Sequence, residues 1–258
     1  MIELIIAHWT VFLLVLVRIL GMFSVAPFWS GEGAPGQVKV AMASAATLGV
    51  FPMVYAKGLL PHAFATSFEF AFELIGQAAV GMILGFIALM FFTIFDASAR
   101  FYDTQMGLGI INVLDPFNAI EASLMAQFQS FLALLIFIAV DGPSFLLIAV
   151  QKSFILVPHL ELHSGALPRA VFSLCSRIFY VSIIFVMPIL GVLFVTHVIL
   201  GILSKASPQL NVMVLGFPVN IAAGFFTLIL LLDYFENLVP EIFATMFTEI
   251  DLFMTHLL

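Results

Sequence analysis

Polar residues are scarce along this chain, and they are grouped. Long apolar runs alternate with short polar islands. A helix needs about 20 apolar residues to cross the hydrocarbon core of a bilayer, and that measure divides the chain. Residues 4–26 qualify as a first span and stop at Pro27. The stretch PFWSGEGAPG that follows is dense in Gly and Pro and reads as a turn. Residues 38–54 form a short span ending near Pro52 and Lys57, and residues 64–95 a long one with Glu69 and Glu73 near its start. Residues 122–140 make another span, broken at Asp141-Gly142-Pro143. Residues 144–157 are apolar but short, the length of a half-span or re-entrant segment. Residues 171–204 contain Pro188, which removes an i−4 hydrogen bond and predicts a kink. Residues 219–232, together with 212–216, predict a span interrupted at Gly216-Phe217-Pro218. In the tail, Phe235, Leu238, Ile242, Met246 and Ile250 recur at helical spacing. The expectation is an all-α membrane protein of about six long hydrophobic helices with Pro/Gly breaks. It forms a single domain over residues 1–258, in two halves of roughly 1–118 and 119–258 joined at a polar loop.

Composition supports this class. Of 258 residues, 63% are hydrophobic and 9% charged, against roughly 25% charged in soluble domains. The mean hydropathy is +1.22. The pattern does not favour a transmembrane barrel, whose strands alternate polar and apolar over ~10 residues, whereas these runs are continuous. The formal net charge is −7 and Lys plus Arg total 8, with no basic patch. Nucleic-acid binding, which needs clustered cations to neutralise phosphates, is excluded. Lys39, Lys57, Arg100, Lys152, Arg169 and Lys205 are spread too evenly for the positive-inside rule to orient the chain. The N-terminus lacks a positive n-region and reads as a retained first span. Cys175 lies in an apolar segment and reads as a small buried hydrophobe. Arg18 sits inside the first run. It either snorkels to an interface or pairs with a buried carboxylate of another helix or subunit; snorkelling is the simpler reading.

Catalytic patterns are absent: GxxxxGK[ST], GxSxG, HExxH and CxxC do not occur. His8, His62, His159, His163, His197 and His256 are dispersed. His159 and His163 have i,i+4 spacing, but Pro158 precedes them and Glu161, the local acid, falls on the other face. A metal needs three or four converging ligands, so a turn is the better reading. Glu69 and Glu73 share a helix face. They suit a proton relay or, preferably, a solvated first turn where negative charge favours the helix N-terminus. Ala41, Ala45 and Gly49 form a row of small residues, and Gly81 and Gly85 a GxxxG. Such rows let helices approach closely, within the chain or against a second subunit. No catalytic, cofactor or metal residue is assigned, and the chain reads as a non-enzyme.

Two polar islands remain. In residues 96–118, Asp96, Arg100 and Asp103 fall at i, i+4 and i+7 and mark a charged helix exit. Gln105-Met106-Gly107-Leu108-Gly109 then breaks the helix, since each Gly weakens it by about 1 kcal/mol. Ile110-Ile111-Asn112-Val113-Leu114 is an apolar loop closed by Asp115-Pro116. In residues 204–218, Lys205, Pro208, Gln209, Asn211, Gly216, Phe217 and Pro218 mark a helix break. Its amides can bond freed backbone groups at membrane depth, where irregular backbone is tolerated only inside protein or beside a wet cavity.

These stretches resemble the FliR family of flagellar export-gate membrane proteins and its type III secretion counterparts. The resemblance is carried by Arg18 to Pro52 with its Ala-Pro-Phe and Gly-Ala-Pro turns, and by Glu73-Leu-Ile-Gly-Gln to Asp103-Thr-Gln-Met-Gly-Leu. It continues from Asp115-Pro116 through Asp141-Gly142 to Ser153-Phe154. Ser207-Pro-Gln-Leu-Asn to Gly216-Phe217-Pro218 is the most specific element. Lys205 stands where the family more often has Arg, and Asn220 where a basic residue is common. The resemblance implies a non-enzymatic subunit packed with FliP and FliQ into a helical multi-subunit assembly around an export pore, with FlhB wrapped about it. The place implied is the bacterial inner membrane, in the flagellar basal body, with membrane lipid and unfolded export substrates as further partners. Gln105, Met106, Gly107, Leu108, Gly109, Ile110, Ile111 and Asn112 would then belong to a pore-closing loop, sealing as apolar constrictions do. The 204–218 island would be a subunit interface. Two alternatives stand beside this: the equivalent subunit of a virulence secretion system, and a proton-coupled secondary transporter using Glu73, Asp96 and Arg100. No internal repeat of the kind transporters show is visible in the sequence.

Overall fold

The computed structural model describes residues 8–30, 35–61, 64, 66–108, 123–159, 166–207, 209 and 211–256. Every regular element among them is helical. In chain order these are α1 (Trp9–Val25), α2 (Pro27–Ser30), α3 (Gly36–Ala56), α4 (Ser67–Met106), α5 (Leu124–Ala139), α6 (Gly142–Leu156), α7 (Ala166–Ala206), α8 (Val212–Leu230) and α9 (Leu232–His256). The protein is thus an all-helical membrane protein. Among the described residues, three helices are long and apolar enough to cross a membrane, or up to five if each bent pair counts as one span. The 17-residue apolar α1 stands beside them.

Breaks fall where local stereochemistry demands them. Between α5 and α6, Asp141 takes a left-handed conformation (φ 59°) and Pro143 opens the next helix, whose first N–H is unneeded. The two helices bend by 68° there. α8 and α9 bend by 64° across Leu231. The expected interruption at Gly216-Phe217-Pro218 is absent: α8 runs unbroken through Pro218. α3, α7 and α9 likewise carry Pro52, Pro188 and Pro240 inside them. An order of elements also recurs. A helix of 40 residues precedes the bent pair α5–α6, and one of 41 residues precedes α8–α9. Helical periodicity repeats without sequence repeating, so the sequence alone does not reveal it.

The chain folds as two compact units. The first comprises residues 1–91, 137–174 and 243–258, and the second residues 92–136 and 175–242. In the first, α1 crosses α4 at glycines. A Cβ on Gly81 would collide with the carbonyl oxygen of Arg18, one on Gly85 would lie 2.6 Å from Met22 O, and one on Gly21 2.5 Å from Ala78 O. The GxxxG pair therefore serves intramolecular packing. Ala41, Ala45 and Gly49 of α3 instead face outward, with nothing within 4 Å of a Cβ at Gly49. In the second unit, Phe185 stacks on Phe235 at 4.7 Å and meets Phe95 edge-on at 5.6 Å. The tail stripe is buried at Phe235, Ile242, Met246 and Ile250. Cys175, expected to be buried, is exposed on α7.

Candidate functional site

The end of α4 is built by a glycine. Gly107 adopts φ +81°, a conformation that costs other residues a Cβ clash. Its N–H donates to Thr104 O (3.1 Å), and that of Leu108 to Asp103 O (3.2 Å). This is a Schellman ending, which satisfies two otherwise orphaned carbonyls. The two sequence islands meet there, inside the second unit. Aromatic carbons of Phe217 lie 2.5 and 2.7 Å from where a Cβ on Gly107 would sit. Met106 is fully buried, and its Sδ lies 2.6 Å from the Cβ position of Gly224. Gln105 is exposed and Leu108 half-buried. Gly109, Ile110, Ile111 and Asn112, with Asp115 and Pro116, lie outside the described residues, as does Pro208.

The charged helix exit splits in two. Arg100 Nε donates to Asp96 Oδ2 at 2.8 Å, an exposed i,i+4 pair. Asp103 does not extend that row. It is buried, and its Oδ1 has no hydrogen-bond partner among the described residues. Beside it, Tyr102 Oη donates to Gln129 Oε1 (2.7 Å), Gln129 Nε2 to Ser98 Oγ (2.8 Å) and Ser98 Oγ to Phe95 O (2.9 Å). This chain satisfies polar groups that border an apolar hollow lined by Leu132, Leu232 and Phe235. Of the second island, Lys205 and Gln209 are exposed. Asn211 caps α8, its Oδ1 accepting from Val214 N at 3.4 Å. Gly216 is buried and Pro218 exposed. Asn220 lies against His197, with Nδ2 and Nε2 3.1 Å apart.

One polar centre escaped the sequence reading. Arg18 is fully buried, so it does not snorkel. Its Nε donates to Gln77 Oε1 (2.7 Å), Nη1 to Ser153 Oγ (2.9 Å), and Nη2 to Val157 O (2.9 Å) and Pro158 O (3.2 Å). The guanidinium lies 4.0 Å above the Phe154 ring. No carboxylate is within ion-pair distance among the described residues. Glu73 is reached through Gln77, whose Nε2 donates to Glu73 Oε1 at 2.6 Å, and Glu73 Oε1 also contacts His159 Nδ1 at 3.0 Å. Glu69 is exposed in the first turn of α4, whereas Glu73, expected to share that solvated turn, is half-buried one turn on and drawn into this network. Apart from Gln77 on α4, the partners are neutral acceptors at the C-terminal end of α6, where the helix dipole favours a cation. The signal in the sequence was Arg18 itself; its partners are too distant to read.

A family model described as bacterial export proteins, family 1, matches residues 9–246. The chain is 28% identical to flagellar biosynthetic protein FliR of Escherichia coli (strain K12) over 235 residues, 88% of each chain. It is 29% identical to flagellar biosynthetic protein FliR of Bacillus subtilis (strain 168) over 237 residues, 90% of each. It is also 28% identical to surface presentation of antigens protein SpaR of Salmonella typhimurium over 165 residues, 64% of this chain and 61% of that protein.

Proposed function

The chain belongs to the bacterial export proteins, family 1, and from that premise we propose that it is a non-enzymatic subunit of the flagellar type III protein export gate. It packs with FliP and FliQ, and with FlhB about them, in the bacterial inner membrane at the base of the flagellum. Unfolded flagellar proteins cross through the pore to which it contributes. The flagellar reading is supported by coverage: the FliR proteins of Escherichia coli and Bacillus subtilis align over 88% and 90% of this chain, SpaR over 64%.

The observation that carries the assembly is the length of α7. Past the exposed Arg177, its outward apolar side chains run from Phe179 to Leu203, roughly 36 Å at 1.5 Å per residue. The hydrocarbon core is about 30 Å thick. At a tilt of about 20°, the average for membrane helices, this face still extends roughly 34 Å along the bilayer normal. An outward apolar face of that length suits cover by neighbouring protein helices as well as lipid. Photo-crosslinkers at Phe179, Phe194 and Ile202 are therefore expected to capture the FliP and FliQ partners in membranes. Adducts with lipid alone at all three positions would refute the assembly.

Within that assembly, residues 105–112 belong to the element that closes the resting pore, and Lys205 to Pro218 to an interface with partner helices. Deleting residues 107–112 is expected to make resting membranes leak small ions while the complex still purifies intact. An unchanged leak removes the closing role. Crosslinks from Gln209 that reach only lipid or its own chain remove the interface.

A further inference from the structure

We propose that the apolar hollow of the second unit is a slot for one acyl chain of a membrane phospholipid, with Glu236 at its mouth selecting an amine-bearing headgroup. The proposal needs only the membrane class of the chain and stands apart from the export-gate reading.

The hollow has two lobes, of about 100 and 260 Å³, which share Gln129, Leu132, Leu232 and Phe235 as walls. The smaller lobe reaches Phe128 and the larger one Ile136. These residues are eight apart on α5, about 12 Å along the helix. An apolar cavity of about 150 Å³ already takes up benzene, so the larger lobe alone has room for a hydrocarbon ligand. Water is a poor occupant, because it needs several polar partners. The polar groups in the wall, Tyr102 and Gln129, bond to each other, and Gln129 bonds on to Ser98. One side chain of a neighbouring helix fills one lobe, whereas a linear acyl chain fills both. The mouth lies on the outer flank, where Phe128, Ile229 and Leu232 are exposed. The slot is also polarised along its length. Phe225 and Ile229 of the apolar α8 wall one lobe, and Glu236, exposed just past the bend into α9, borders the other. Among the described residues, no lysine or arginine lines either lobe. A phospholipid lying along α8 matches this order, tail in the slot and headgroup at the bend. The Glu236 carboxylate attracts the ammonium of phosphatidylethanolamine and repels the net negative charge of phosphatidylglycerol.

The test uses the complete complex, with its partner subunits, in vesicles of phosphatidylethanolamine and phosphatidylglycerol. One or the other lipid carries a diazirine in one acyl chain, and adducts are mapped by mass spectrometry after illumination. Adducts are expected to concentrate on residues 128–136 and 225–239, with phosphatidylethanolamine favoured by about threefold, as one exposed charge contact allows. Leu232 walls both lobes yet is exposed, so Leu232→Trp fills the slot without disturbing a buried position. It is expected to cut slot labelling by about tenfold, with labelling elsewhere and subunit yield unchanged. Glu236→Gln is expected to keep the labelling and abolish the headgroup preference. The wild-type map decides the slot even if Leu232→Trp fails to assemble. Adducts absent from the slot, or unreduced in an assembled Leu232→Trp complex, overturn the proposal. So does a photo-crosslinker at Ile229 that captures a partner subunit in place of lipid. Equal labelling by the two lipids, or a preference that persists in Glu236→Gln, overturns the part given to Glu236.

Discussion

Arg18 is the costliest residue in the chain to place, because charge in an apolar helix is expensive. Its position stands because Gln77, Ser153 and two carbonyls bond it along the plane of the fork while Phe154 covers one face. A lysine has one compact ammonium and cannot reach four divergent acceptors. Arg18→Lys is therefore expected to destabilise the first unit by about 3 kcal/mol, the loss typical of a broken buried charge network. Thermal unfolding of the purified complex measures it, and a Lys variant as stable as wild type would overturn the account. The exposed Lys152–Asp251 pair, at 2.9 Å, is the contrast. Asp251→Asn is expected to cost less than about 1 kcal/mol in the same assay, because water screens the pair. The sequence displayed Arg18 as an anomaly. It did not display the answer, since Gln77 and Ser153 are 59 and 135 residues away.

At the scale of elements, two rows of small residues looked alike in the sequence and have opposite roles. Gly81 and Gly85 let α1 approach α4 until backbone meets backbone, whereas Gly49 on α3 has nothing near it. Gly81→Ala must push α1 away from a rigid carbonyl, and a loss of about 1–3 kcal/mol is expected. Gly49→Leu is expected to leave the chain's own stability unchanged within about 0.5 kcal/mol. If the outward row packs on a partner, that substitution lowers copurification of partner subunits instead. Equal destabilisation by the two changes would show that the rows do not differ. Helix breaks were more legible. Gly107 and Asp141-Gly142-Pro143 end or start helices through their own φ preferences, which neighbours need not supply. Pro218 was misleading because a proline is tolerated in an apolar helix once neighbouring groups satisfy the freed carbonyl.

For the whole molecule, outward apolar surface runs along α7 and α8, at Phe194, Ile202, Val214 and Phe226 among others. Such surface has to be covered by lipid or partners. Expressed without its partner subunits, the chain is expected to accumulate at a fraction of its co-expressed level, as immunoblots of membranes would record; equal levels would count against obligate assembly. Membrane class, helical content and most breaks were set by the sequence alone, because hydropathy and the stereochemistry of Gly and Pro act within a few residues. The resemblance to the export family was legible for the same reason: its motifs are short and collinear. Three matters were decided only by tertiary structure: which glycine row lies inside, what Arg18 bonds to, and that Gly107 and Met106 meet Phe217 and Gly224. Each depends on side chains brought together from distant points of the chain, and hydrophobic periodicity specifies that a face is buried without specifying against what.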